Sequence, residues 1–153
     1  MDTLTWLKLV HFLGMILWFG PNLLCHGPLA RPLRAEDANT RALAATMIRQ
    51  VHTRYMIPGM ILSLIAGFWM IHSFFGLSAG YLHAKMTTGV VAALCTLLAV
   101  AQTRKILHLA NAKATSENDL RWRASTAAWR RNQMVISALL LLTFLAALAK
   151  RVG

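Results

Sequence analysis

A chain of 153 residues that is 57% hydrophobic and only 14% charged, with a mean hydropathy of +0.51, carries more apolar surface than a soluble domain of this size can bury. That composition excludes an ordinary globular enzyme and points to an integral membrane protein with little room for a soluble domain. The formal net charge of +11 would suggest nucleic acid in a soluble protein, but its distribution along this chain argues for a membrane surface and against a nucleic-acid partner.

Four apolar runs approach the roughly 20 residues that a helix needs to cross the hydrocarbon core: about 4–25, 55–75, 81–102 and 132–149. The first has no cleavable-signal pattern, because Asp2 leads almost directly into a run too long for a signal h-region, so it reads as a retained span. It is expected to end near Pro21, Gly27 and Pro28. Asp37 and Asn39 then offer N-caps for a helix that starts ahead of the second run and continues through it, with Pro58 as its kink. The segment GLSAG at 76–80 makes a short turn. The third helix runs past its span through TRKILHLANAK, and TSENDLRW supplies a turn and a fresh cap before the fourth. The expected fold class is all-α: a single membrane domain over 1–153, built as an up-down four-helix bundle.

Basic residues cluster in two loops. Arg31, Arg34, Arg41, Arg49 and Arg54 lie between the first and second spans, and Arg104, Lys105, Lys113, Arg121, Arg123, Arg130 and Arg131 between the third and fourth. Beyond the spans on the other side are only Lys150 and Arg151. The positive-inside rule places both loops in the cytoplasm and both termini on the outer side, and the arginines favour anionic lipid headgroups. The cysteines, Cys25 and Cys95, form no close pair and read as buried packing.

The chemistry-bearing residues are mostly histidines. On the first helix Lys8, His11, Gly14, Met15, Trp18 and Asn22 recur at spacings of three or four and share one stripe. The third helix opens with YLHAKM, which puts His83 and Lys85 at the same end of the bundle as His11; His72 belongs there too. His26, His52 and His108 fall towards the opposite side and read as interfacial residues. An intramembrane histidine needs a partner. The partner is either a hydrogen-bonding group on a facing helix or a metal; histidines at similar depth on two helices, here His11 and His83, could hold one haem b, with Lys8 and Lys85 near its propionates. Gly14 would admit a flat ligand or a neighbouring helix. All five acidic residues lie at the N-terminus or in loops, which argues against hydrolysis and against proton-coupled transport by membrane carboxylates.

The motifs WLKLVHFLGMILWFG, YMIPGMILSLIAGFWMI, YLHAKM and RRNQM occur in an order and spacing that resembles the HemJ-type protoporphyrinogen oxidases, over about 125 residues from Trp6 onwards. The resemblance implies a small four-helix protein of the bacterial inner membrane that binds haem b and oxidises protoporphyrinogen IX, passing electrons to a quinone-linked acceptor. Carried over by position, it nominates His11, His83 and Lys85, with Arg54 and Pro58 at the entry to the second span. The chain departs from the pattern in lacking a histidine within ALCTLLAVAQ. Where the family opens its fourth helix with Asn-Glu, this chain has Asn132 and Gln133, an amide that keeps the hydrogen-bonding shape but cannot accept a proton. Two alternatives stand beside the haem reading: a non-catalytic subunit of a larger respiratory or photosynthetic membrane complex, or a homo-oligomer of such a subunit, and a CopD-like copper-handling protein. The copper reading ranks last because Met15, Met60, Met70 and Met86 are scattered along the sequence.

Overall fold

Local chemistry sets where each helix begins. Asp2 accepts a hydrogen bond from the Thr5 N–H at 2.9 Å and opens α1, Thr3–His26, which runs through Pro21 to a C-cap at Gly27. Two single-turn 3-10 segments, Pro28–Ala30 and Pro32–Arg34, carry the chain sideways to Asp37. Asp37 caps α2, Ala38–Val51, by accepting from the Asn39 and Thr40 N–H groups. Hydrogen bonds from the Thr40 side chain and backbone hold the Asp37 carboxyl below its usual range, so this cap is complete at neutral pH and is lost as pH falls through that lowered value. α4, Gly80–Ala110, and α5, Ser116–Ala149, complete the chain. This computed structural model describes residues 2–75, 80–112 and 115–149; the expected turn at 76–79, Lys113, Lys150 and Arg151 lie outside them.

Between α2 and α3, Ile57–Met70, the helix passes without a break through a π turn at His52–Met56, and a second π turn follows at Ile71–Phe75. Just before Pro58, the expected kink position, the helix widens into the π turn at His52–Met56. The described residues are therefore all-helical, with four rods and no strand. Three of the rods are long and apolar enough to cross a membrane: Thr3–Arg34, Ala38–Phe74 and Leu82–Ala110. The expected fourth span occupies the C-terminal half of α5 and runs into positions whose side chains lie outside those described.

The outward faces are apolar. Phe12, Ile16, Ile65, Leu94, Leu98 and Leu142 are all more than half exposed, the reverse of the polar outer face of a water-soluble bundle. Inside, α1 packs chiefly on α3, and α4 on α5. Among the buried positions of α4, Ala92, Thr96, Ala99, Thr103 and Ile106 follow alternating steps of four and three, and so do Trp129, Gln133, Ile136, Leu140 and Thr143 of α5. That 3.5-residue repeat is the seam of coiled-coil packing. Cross-helix pairs run antiparallel within each of these interfaces: His11 meets Ser63 and Gly14 meets Gly59, while Thr88 meets Thr143 and Gln102 meets Asn132.

The α1–α3 contact depends on absent side chains. A methyl group on Gly14 would stand 2.5 Å from the Ser63 nitrogen, and one on Gly59 would stand 2.7 Å from the Leu17 carbonyl carbon and the Trp18 nitrogen. These obstacles are backbone and cannot swing aside. Gly14→Ala and Gly59→Ala should therefore each cost about 1–3 kcal/mol by forcing the helices apart, measured by unfolding in detergent. Gly20, which has nothing within 4 Å, is the internal control. A loss at Gly20→Ala equal to that at Gly14→Ala would refute the close-packing account.

Candidate functional site

The α1–α3 contact holds His11 in one orientation. Its Nδ1 donates to the Ser63 carbonyl at 2.7 Å and lies 3.2 Å from Ser63 Oγ. The same edge of the ring rests on Gly67, where a methyl group would come within 3.2 Å of Cε1 and 3.3 Å of Nδ1. Because a carbonyl can only accept, the proton sits on Nδ1 and the lone pair on Nε2. This is the arrangement by which a second hydrogen bond fixes the tautomer of a metal-binding imidazole.

His11 lines a half-open cavity of about 100 Å³ with Met15, Trp18, Gly67, Met70, Lys85, Met86 and Leu140 among its walls. Trp18 is a wall with a committed N–H: it donates to Thr96 Oγ1 at 2.9 Å, and Thr96 in turn donates to the Ala92 carbonyl. The cavity thus brings together His11, Trp18 and Lys85 of the residues nominated from sequence. It does not include Lys8 or His83, which are exposed, or Arg54, which is exposed on the π turn; Gly14 is buried in the contact with α3. No group of three or more His, Cys, Asp or Glu side chains is placed to hold a metal among the described residues. Met15, Met70 and Met86, which looked scattered in the sequence, converge here from three helices.

A second polar centre lies deeper in the bundle, and His52 is its middle. His52, read from sequence as an interfacial residue, is completely buried on the π turn, between Thr103 of α4 and Gln133 of α5. Thr103 Oγ1 donates to the Ala99 carbonyl and so accepts from His52 Nδ1 at 3.2 Å, leaving Nε2 to accept from the Gln133 amide at 2.6 Å. Trp129 meets the imidazole edge-on, with centroids 6.2 Å apart. Gln133 is therefore part of this centre and not of the His11 cavity. The partnership of His52 and Gln133, 81 residues apart in sequence, left no local signal; the sequence singled out Gln133 only as a departure from the Asn-Glu pattern, not as a partner of His52.

Hydrogen bonds of this kind tie the two helix pairs together. Asn22 donates to Ser137 Oγ at 2.7 Å, linking α1 to α5, and Trp18 links α1 to α4. Together these features define an all-helical bundle, apolar outside and polar at chosen levels inside, with one cavity built around an oriented imidazole. No protein-family model, curated protein or solved structure matches the chain.

Removing His52 leaves the Gln133 amide and the Thr103 hydroxyl without their partner in a sealed interior, and removing Gln133 leaves His52 Nε2 in the same state. A double-mutant cycle of His52→Ala and Gln133→Ala should show a coupling of about 1 kcal/mol in unfolding free energy. Additivity to within about 0.3 kcal/mol would mean that the two side chains do not act as a unit.

Proposed function

We propose that this chain is a haem b-binding integral membrane protein of the bacterial inner membrane, with His11 as the axial ligand, acting in porphyrinogen oxidation or electron transfer as its resemblance to HemJ-type oxidases implies. The observation that carries this reading is the His11–Ser63 hydrogen bond, which leaves the lone pair on Nε2 of a residue lining a mostly apolar cavity that also carries Ser63, Thr143 and Lys85. The donor set suits haem iron, which asks for one neutral imidazole and an apolar shell. The enclosed volume of about 100 Å³ is below the roughly 300–1,000 Å³ of closed ligand pockets. A whole macrocycle does not fit in that volume, so the cavity would enclose only part of one. Haem bound there would supply one-electron chemistry.

Each residue then has a definite task. His11 would hold the iron, Ser63 fixes its tautomer, Gly67 leaves room for the imidazole, and Lys85 would offer a positive charge to a propionate. Met15, Met70, Met86, Trp18 and Leu140 exclude water. Oxidation of protoporphyrinogen IX would need a proton acceptor, and no carboxylate lies inside the spans; Gln133 cannot serve, and its amide is engaged with His52. Electron transfer, alone or as a subunit of a larger complex, is therefore the part of this function that the residues support best. The excess of arginine at one end supports the reading that this end faces the cytoplasm and both termini the outer side.

A copper-handling reading gains from the convergence of Met15, Met70 and Met86 on His11, since thioether and imidazole donors together suit Cu(I). One set of variants separates the two. Protein purified from haem-replete cells is expected to show a Soret band with reducible α and β bands that is absent in His11→Ala, while the triple variant Met15→Leu, Met70→Leu, Met86→Leu keeps it. A colourless preparation whose Cu(I) binding is abolished by the triple variant would replace haem with copper. Failure of well-expressed protein to rescue a strain lacking its protoporphyrinogen oxidase would remove the oxidase activity and leave haem binding untouched.

A further inference from the structure

At the end of the bundle away from His11, the 3-10 segments, α2 and the start of α5 line a second, half-open cavity of about 390 Å³, with Arg34 and Arg123 exposed at its mouth. Its walls carry Arg34, Arg41, Arg123 and Arg130 with a single carboxylate, Glu36. Arg41 is already committed: Nε donates to the Ala35 carbonyl, Nη1 pairs with Asp119 at 3.0 Å, and the guanidinium lies 5.7 Å from the centre of the Trp122 ring. Trp122 is fixed in turn by donating to the Leu33 carbonyl at 3.2 Å. These contacts make a stiff wall. The other three arginines have no carboxylate within ion-pair distance among the described residues, and Arg130 Nε is buried with no hydrogen-bond partner.

A folded protein does not gather guanidinium groups around a cavity without cost, because like charges repel and a buried N–H without a partner loses the hydrogen bond it had in water. An anion with several acceptor oxygens removes both penalties, and phosphate matches the planar fork of arginine best. The volume falls within the range of small-ligand sites. The walls also include Ala30, Leu33 and Ala127, so the cavity presents apolar surface beside its charges, as basic pockets between membrane helices do when they take lipid headgroups.

We propose that this cavity binds a phosphate group, with Arg34, Arg123 and Arg130 as its donors, and that the phosphate belongs to an anionic phospholipid headgroup. The lipid source rests on the chain crossing a membrane with this end at the headgroup level, but not on haem binding. The full chain in detergent is titrated with dioleoylphosphatidylglycerol, with the zwitterionic dioleoylphosphatidylcholine, and with glycerol 3-phosphate, and binding is followed by native mass spectrometry. The glycerolipid with net charge is expected to bind at least tenfold more tightly than the zwitterionic one. Arg130→Gln and Arg123→Gln should each weaken it about tenfold, and Arg130→Lys, which keeps the charge but not the fork, should fall between wild type and Arg130→Gln. Arg104→Gln, an exposed arginine on α4 outside the cavity, should leave affinity unchanged. Unaltered melting temperatures separate loss of binding from loss of fold.

Equal affinity for the two lipids, or an effect of Arg104→Gln as large as that of Arg130→Gln, overturns the site and leaves only diffuse surface charge. Glycerol 3-phosphate that binds as tightly as the anionic lipid, with the same dependence on Arg130, supports the phosphate site and overturns its lipid source. That arm needs no bilayer, so it tests the cavity even if the chain is shown not to be embedded in one.

Discussion

Everything at the candidate site depends on how closely α1 approaches α3. Gly14 faces the Ser63 backbone and Gly59 faces Leu17 and Trp18, so the two helices meet backbone to backbone over about one turn. That separation lets the His11 side chain reach a main-chain carbonyl, and the missing side chain of Gly67, whose methyl would press on the imidazole from 3.2 Å, leaves the ring room beside it. Gly59, Ser63 and Gly67 repeat every fourth residue along one face of α3, the small-residue spacing by which apolar helices associate where no hydrophobic drive exists between them. The contact thus supplies cohesion between two helices and orients one titratable side chain.

The bundle divides its cohesion by type. Within each helix pair, α1 with α3 and α4 with α5, small or apolar residues interlock at regular spacing. Between the pairs, the recurring links are hydrogen bonds from buried polar side chains: Trp18 to Thr96, Asn22 to Ser137, and His52 to both Thr103 and Gln133. Packing of apolar surface is weakly directional, whereas each of these bonds is satisfied at a single rotation and height. They therefore fix how one pair sits against the other. In an apolar environment an unpaired polar group has no water to turn to, which sharpens this selection.

The polar residues consequently fall into three groups with different work. His11 commits Nδ1 to the Ser63 carbonyl and lines the half-open cavity. His52 spends both nitrogens on neighbours, so its role is to hold α4 and α5 around the π turn. The arginines at the far end are the reverse case, charges brought together with too few partners of their own.

From the sequence alone, the class of fold was legible. Apolar runs of membrane-crossing length, proline and glycine punctuation and the caps at Asp37 and within TSENDLRW, where the Asn118 N–H donates to Thr115 Oγ1, are local properties, and the helices begin and end close to where those signals lie. The stripe of His11, Gly14 and Trp18 was legible too, since three- and four-residue spacing places them on one face wherever that face points. What the face meets was not legible. Only the folded chain decided that Gly14 meets a helix rather than a ligand, that His83 stays exposed, that dispersed methionines converge, and that His52 is buried against Gln133. Each of these depends on the rotation and height of one helix relative to another, which are settled by contacts between residues far apart in sequence and leave no periodic trace in either helix alone.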